Sequence, residues 1–188
     1  MRYGVRRIIV LDFDLHHGNG TQSIAWSINA ETQRQEEELV SRAEAGLPPP
    51  KVGPKVYYGS LHDILSYPCE VSYPLRCAAR KSSLMFSEDG DANLIQAAST
   101  TLSGAHGQYI ENVHLESYTS DEDFFSRLYP IYHERLLGGA TRFLKKTGEL
   151  SSSDETMVFV RCVDTCDRSS KTADIVIDLQ RRIRCLSS

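Results

Sequence analysis

Tryptophan occurs once in this 188-residue sequence, and no run of one charge sign stands out: 21 basic side chains face 25 acidic ones, for a net charge of −4. That balance argues against a nucleic-acid-binding surface as the main activity. It is compatible with basic, lysine-rich partners without deciding for them. No apolar stretch approaches a membrane span, which needs about 20 residues. The opening Met1-Arg2-Tyr3-Gly4-Val5-Arg6-Arg7 leads into an apolar run too short for a signal sequence. The five cysteines, Cys69, Cys77, Cys162, Cys166 and Cys185, include no Cys-x-x-Cys pair. Cys162 and Cys166 are four apart but lack a partner pair or a nearby histidine, so a structural zinc knuckle is not expected. An odd cysteine count without a signal peptide fits reduced thiols in the cytosol or nucleus. No internal repeat is visible.

The remaining composition is that of an ordinary globular protein, 40% hydrophobic and 24% charged, long enough for one domain with a real core. Its most informative segment is Ile8-Ile9-Val10-Leu11-Asp12-Phe13-Asp14-Leu15-His16-His17-Gly18-Asn19-Gly20-Thr21. A short apolar run ends in two carboxylates, two imidazoles and two glycines. Asp14 and His16 are two apart, so on an extended strand end they point to the same side. A carboxylate oxygen and an imidazole nitrogen at the C-terminal end of a strand suit a zinc ion that keeps an open position. Ligands of open α/β sheets gather at that end. Two donors do not complete a site, and from spacing alone a solvated Asn-Gly turn explains the same residues equally well.

Along the chain, residues 5–13 read as a buried strand of a parallel sheet. Thr21 reads as the N-cap of a helix from Gln22 to Asn29, and residues 31–45 favour a solvated helix that ends at Gly46-Leu47-Pro48-Pro49-Pro50. Strands are expected at Lys55–Leu61, Tyr109–Leu115 and Met157–Val163. Residues 63–92 look like loop, and Ser87-Glu88-Asp89-Gly90-Asp91 reads as a surface turn because it lacks the spacing of a calcium loop. Ser120 with Asp123 resembles a capping arrangement for an amphipathic helix from Asp121 to Lys146, kinked at Pro130. Alternating strands and helices predict an α/β fold with a mainly parallel sheet.

Asp12-Phe13-Asp14-Leu15-His16-His17-Gly18-Asn19-Gly20-Thr21-Gln22 closely resembles the metal-binding motif of zinc-dependent histone deacetylases in their class II form, nearest to the fungal branch. Tyr58-Gly59-Ser60-Leu61-His62-Asp63 resembles the family's strand carrying Ser-Leu-His. Glu111-Asn112-Val113-His114-Leu115, with Asp123-Phe124 and Tyr129 after it, resembles the family's Asn-Val-x-Leu strand and following helix. The resemblance covers roughly residues 5–166. It implies a three-layer α/β/α arginase/deacetylase-like fold, incomplete at both ends. It divides the chain into a partial deacetylase domain, 1–166, with an insertion at about 31–54, and a divergent tail, 167–188. The insertion is expected to be an exposed helical excursion.

The resemblance further implies zinc held by Asp14 and His16, with Asp164 of Val163-Asp164-Thr165 as the third ligand. It implies a potassium ion held by Asp12, Asp14 and main-chain oxygens near His16, Ser60 and Leu61, with the Ser60 hydroxyl added. Asn19 stands where some members have an Asp that bonds a catalytic histidine. His17 and His62 are expected to be packed rather than catalytic, and His106, His114 and His133 lie away from motif positions. The implied reaction is hydrolysis of the acetyl amide of acetyl-lysine, on histones or other proteins. A corepressor complex and a nuclear, possibly also cytoplasmic, location come with it. The family's upstream His-His pair and its Gly-Gly-Tyr segment do not occur in these residues. The expectation is therefore of a fragment with impaired activity. The alternatives are an inactive interaction module or a deacetylase of small acetylamides such as polyamines.

Overall fold

The structure is a computed structural model, and it describes residues 5–65, 92–148 and 155–161. Five strands form one sheet: β1 (Val5–Asp12), β2 (Lys55–His62), β3 (Thr101–Ser103), β4 (Tyr109–His114) and β5 (Glu155–Arg161), in the order β3-β4-β2-β1-β5. β1 pairs in parallel with both β2 and β5, and β2 pairs in parallel with β4. Among the described strands only the three-residue β3 is antiparallel. The α/β class with a mainly parallel sheet is as expected. The continuous apolar runs of β1 and β2 have their physical reason here, since helices cover the sheet on both sides.

One side carries α1 (Asn19–Glu44), near which α2 (Ala92–Ala98) also lies; the other carries α3 (Tyr129–Lys146). Ile9, Leu11, Tyr57, Leu61, Tyr109 and Val113 face α3, where Leu136, Leu137, Ala140 and Phe143 meet them. Ile8, Val10, Val56, Tyr58 and Ile110 face α1, against Ala25 and Ile28. Gly139 lets α3 approach the Tyr57 ring, because a methyl there would fall within van der Waals contact of its hydroxyl. That hydroxyl donates to the Leu136 carbonyl at 2.9 Å.

Two helix boundaries differ from the sequence reading. α1 is a single helix from Asn19 through Glu44, not two, and its N-cap position is Gly18 rather than Thr21. The change from apolar to Glu/Gln/Arg-rich sequence at residue 31 marks a change of exposure, not a break. Residues 31–44 form the mostly exposed half of α1 and are tied to the chain that leads into β2. Thr32 donates to the Pro54 carbonyl at 2.8 Å, Gln35 accepts from Gly53 N–H at 2.7 Å, and Lys55 pairs with Glu36 at 2.8 Å. The expected capping of the 121–146 helix is present, with Ser120 Oγ accepting from Asp123 N–H at 3.2 Å. The expected kink takes the form of a π-helical stretch, Phe124–Leu128, just before α3. Pro130 lies in the first turn of α3 and has no N–H to offer the preceding turn, which opens accordingly. Both α2 and β3 lie in segments that the sequence did not mark as regular.

Candidate metal centre and its supporting network

Parallel register builds the site. Asp12 of β1 stands beside Ser60 of β2, and Ser60 beside Asn112 of β4. Residues aligned in this way point to one side of a sheet. All three therefore lie on the α1 side, one step beyond the apolar row of Val10, Tyr58 and Ile110. On this face the first half of each strand is apolar and the last half polar.

Asp12 is enclosed, with 1% of its surface exposed. One carboxylate oxygen accepts from Asp14 N–H at 3.3 Å and the other from the Tyr58 hydroxyl at 3.3 Å. Burial beside this carboxylate pushes the Tyr58 phenol well above its usual range, so it stays a donor. The chain then turns at Gly18, where a Cβ would sit 2.5 Å from Asp12 Oδ2 and 2.7 Å from the Tyr58 hydroxyl. Glycine is the residue that lets backbone, carboxylate and phenol crowd together here. Asp14 is buried and His16 exposed. Asn19 opens α1 on the exposed side, its Oδ1 accepting from Gly20 N–H at 2.9 Å. Leu61 is buried beside Ser60.

His17 points the other way from His16 and is enclosed, 3% exposed, as its packed role requires. It belongs to a polar network that the motif does not reveal. Gln22 Nε2 donates to the Ala97 carbonyl at 3.0 Å, which fixes its Oε1 as an acceptor. Asn112 Nδ2 donates to that Oε1 at 2.8 Å, and also to the carbonyls of Ala97 and Thr100 at 2.9 and 3.0 Å. The contact of His17 Nε2 with Gln22 Oε1, at 3.0 Å, must then be an imidazole N–H donating. His17 is held as the Nε2–H tautomer. Burial lowers its proton affinity and the Gln22 bond only partly restores it.

The His62 ring lies 4.8 Å from that of His17, and the His114 ring 5.4 Å from His62. Ser60 Oγ meets His62 Nδ1 at 2.9 Å, and the His114 imidazole donates to the Ala98 carbonyl at 3.1 Å. His62 is fully enclosed and its pKa falls to about 3, first through desolvation and then through the neighbouring His17 and His114. His17 Nδ1, His62 Nε2 and Asn112 Oδ1 are buried without a hydrogen-bond partner among the described residues. The segment after β1 is fastened from below as well, because Asp63 N–H donates to the Leu15 carbonyl at 2.9 Å.

Register and turn thus bring Asp12, Asp14, His16, Asn19, Ser60 and Leu61 to one end of the sheet. Asp164 lies outside the described residues, as do the five cysteines and the acidic 87–91 turn. Among the described residues no three His, Cys, Asp or Glu side chains gather closely enough to hold a metal ion. Asp14 and His16 are donors of the types zinc takes, and they amount to two of the three a catalytic site needs. The carboxylate of Asp12 and the hydroxyl of Ser60, in adjacent register, are oxygen donors of the kind a hard cation takes. The motif alone did not reveal Gln22, Tyr58 and Asn112. Their signal was a polar side chain within or beside an otherwise apolar run, which says that something must satisfy it.

Residues 1–138 match the histone deacetylase domain. The chain is also 35% identical over 143 residues to histone deacetylase HOS3 of Saccharomyces cerevisiae (strain ATCC 204508 / S288c). That alignment covers 76% of this chain and 18% of the yeast protein, so the chain spans about a fifth of its relative's length. With the sheet, the polar strand ends and the matched domain in agreement, the chain belongs to the histone deacetylase family.

Proposed function

We propose that this chain carries the metal-binding half of a zinc-dependent lysine deacetylase. Asp14, His16 and Asp164 would hold the zinc, and Asp12, Ser60 and the main chain at Leu61 a potassium ion beside it. The observation that carries this reading is the polar row Asp12–Ser60–Asn112 under the Asp14–His16 turn, at the strand ends where α/β ligands gather. The chemistry zinc would supply there is Lewis-acid activation of water and of an acetyl carbonyl. Asp12 orients the turn by accepting the Asp14 N–H, and Gly18 keeps the backbone close enough for this. The packed network of His17, Gln22 and Asn112 holds the turn from beneath.

The substrate class proposed is the acetyl-lysine side chain of histones or other proteins, in the nucleus and within a corepressor assembly. None of His17, His62 and His114 is placed as a general base, since each is engaged within the sheet–helix packing. Acid–base help of that kind is worth roughly 10²–10⁴ in rate. These 188 residues by themselves are therefore expected to turn over acetyl-lysine slowly. The test is zinc content paired with acetyl-lysine peptide turnover, with acetylpolyamine as the competing substrate. Zinc-dependent peptide turnover that Asp14→Ala abolishes supports the reading. Turnover of the polyamine alone, or turnover indifferent to Asp14, overturns it.

A further inference from the structure

Asp14 and His16 lie within one turn, residues 12–18, between the end of β1 and the start of α1. The two ends of that turn meet at a single side chain. Tyr58 of β2 stands level with Val10, two residues before Asp12, or about 6.6 Å back along the strand. Its ring is fully buried on the α1 side, packed with Ala25, Val56 and Ile110. From there the hydroxyl reaches forward to the Asp12 carboxylate at 3.3 Å and to the Gly18 carbonyl at 3.4 Å. Asp12 stands at the start of the turn and Gly18 at its end. Asp12 in turn accepts the Asp14 N–H with its other oxygen. The Tyr58 ring also lies edge-on to His17, with centroids 6.4 Å apart.

We propose that Tyr58 is a positioning residue of the metal centre, its hydroxyl pinning together the two ends of the turn that carries Asp14 and His16. The inference rests on the metal reading above. Burying a hydroxyl is unfavourable unless it is bonded, so a residue that only filled the core would serve as well or better as phenylalanine. Gly18 fits the same role, because a Cβ there would lie 2.7 Å from the hydroxyl and displace it from the turn. Both contacts are long for an O–H donor and share one proton, so each is weak alone. Their effect is to close the turn at its base. A turn already closed has less freedom to lose when its donors settle on a cation. Groups that orient metal ligands change metal affinity by roughly 10–100-fold, and the length of these contacts places Tyr58 at the lower end.

The test is Tyr58→Phe in the 188-residue chain, with Val56→Ala as a control that loosens the same packing without touching the turn. Two quantities are read. One is hydrogen exchange of the Asp14 amide in the metal-free chain, taken relative to the Ile9 amide in the core of β1. The other is the zinc Kd, by competition with a chromophoric chelator. Tyr58→Phe should speed the relative exchange of Asp14 and raise the zinc Kd roughly 10-fold. Val56→Ala should do neither. Unchanged Asp14 exchange, zinc held as tightly as by the parent chain, or an equal loss in Val56→Ala overturns the inference and leaves the metal reading standing. A folded parent chain that takes up no zinc overturns that reading, and the role of Tyr58 with it.

Discussion

The two faces of one sheet are built to different ends. On the α3 side, Ile9, Leu11, Tyr57, Leu61, Tyr109 and Val113 close against Leu136, Leu137, Ala140 and Phe143. That interface is mainly apolar, with polar contacts from the Tyr57 hydroxyl to Leu136, from Arg135 to Glu111 and the Asn112 carbonyl, from Arg7 to the Leu144 carbonyl and from Lys146 to Ser103. On the α1 side the same strands are apolar at first and polar at their C-terminal ends, where Asp12, Ser60, His62 and Asn112 lie. Burying these groups costs free energy unless each finds a partner: Asp12 accepts from Asp14 N–H and the Tyr58 hydroxyl, Ser60 meets His62, and Asn112 donates to Gln22. One face supplies stability; the other uses part of it to hold polar groups in place beside the metal motif.

The contrast is sharpened most by truncating the apolar face. Phe143→Ala should cost roughly 3–5 kcal/mol, because Phe143 is enclosed between the Tyr57 and Tyr109 rings. A urea melt reads this directly, and a loss under 1 kcal/mol would mean the α3 side is not the main core. Asn112→Leu, on the polar face, should cost less, about 1–3 kcal/mol. It strands the Thr100 carbonyl and removes one donor from Gln22 Oε1. His17 should keep its single tautomer, seen by ¹⁵N shifts of the imidazole, because Gln22 Nε2 still donates to the Ala97 carbonyl. A mixture of tautomers would break the assignment of the network.

A smaller effect follows from His62, whose folded pKa of about 3 lies below the unfolded value near 6.5. Between those values the unfolded chain binds the extra proton. Stability is therefore full above pH 6.5 and falls as the pH drops toward 3, on the order of 1 kcal/mol per pH unit from this group. His62→Gln should flatten that part of the pH–stability curve. A slope as steep as that of the unaltered protein would remove His62 as its source. The smallest change is expected at Arg34→Ala, which breaks the exposed pairs with Glu31 and Glu38 on α1. Exposed helix pairs of this kind contribute little, so the thermal midpoint should not move measurably.

The parts of this molecule legible in the sequence were those whose signal is local. β1 announced itself as an apolar run, and Ser120 with Asp123 as a cap. Four features were hidden for identifiable reasons. α1 looked like two helices because its exposed second half is as polar as a linker, yet Asn29 and Thr32 bury their side chains and bond Val56 and Pro54 across the packing. β3 is too short to show a period. α2 spans seven residues just past the stretch read as loop and is too short to show a helical period. The Gln22–Asn112 bond joins residues 90 apart, and nothing near either one names the other.

Zinc binding to the intact 188-residue chain tests the account most directly. Titration should find one zinc per chain, and Asp14→Ala and Asp164→Ala should each abolish it while Asp167→Ala leaves it intact. Undiminished zinc in the Asp14→Ala variant, or a folded chain that takes up none, would contradict the assignment of the Asp14–His16 turn as a metal centre.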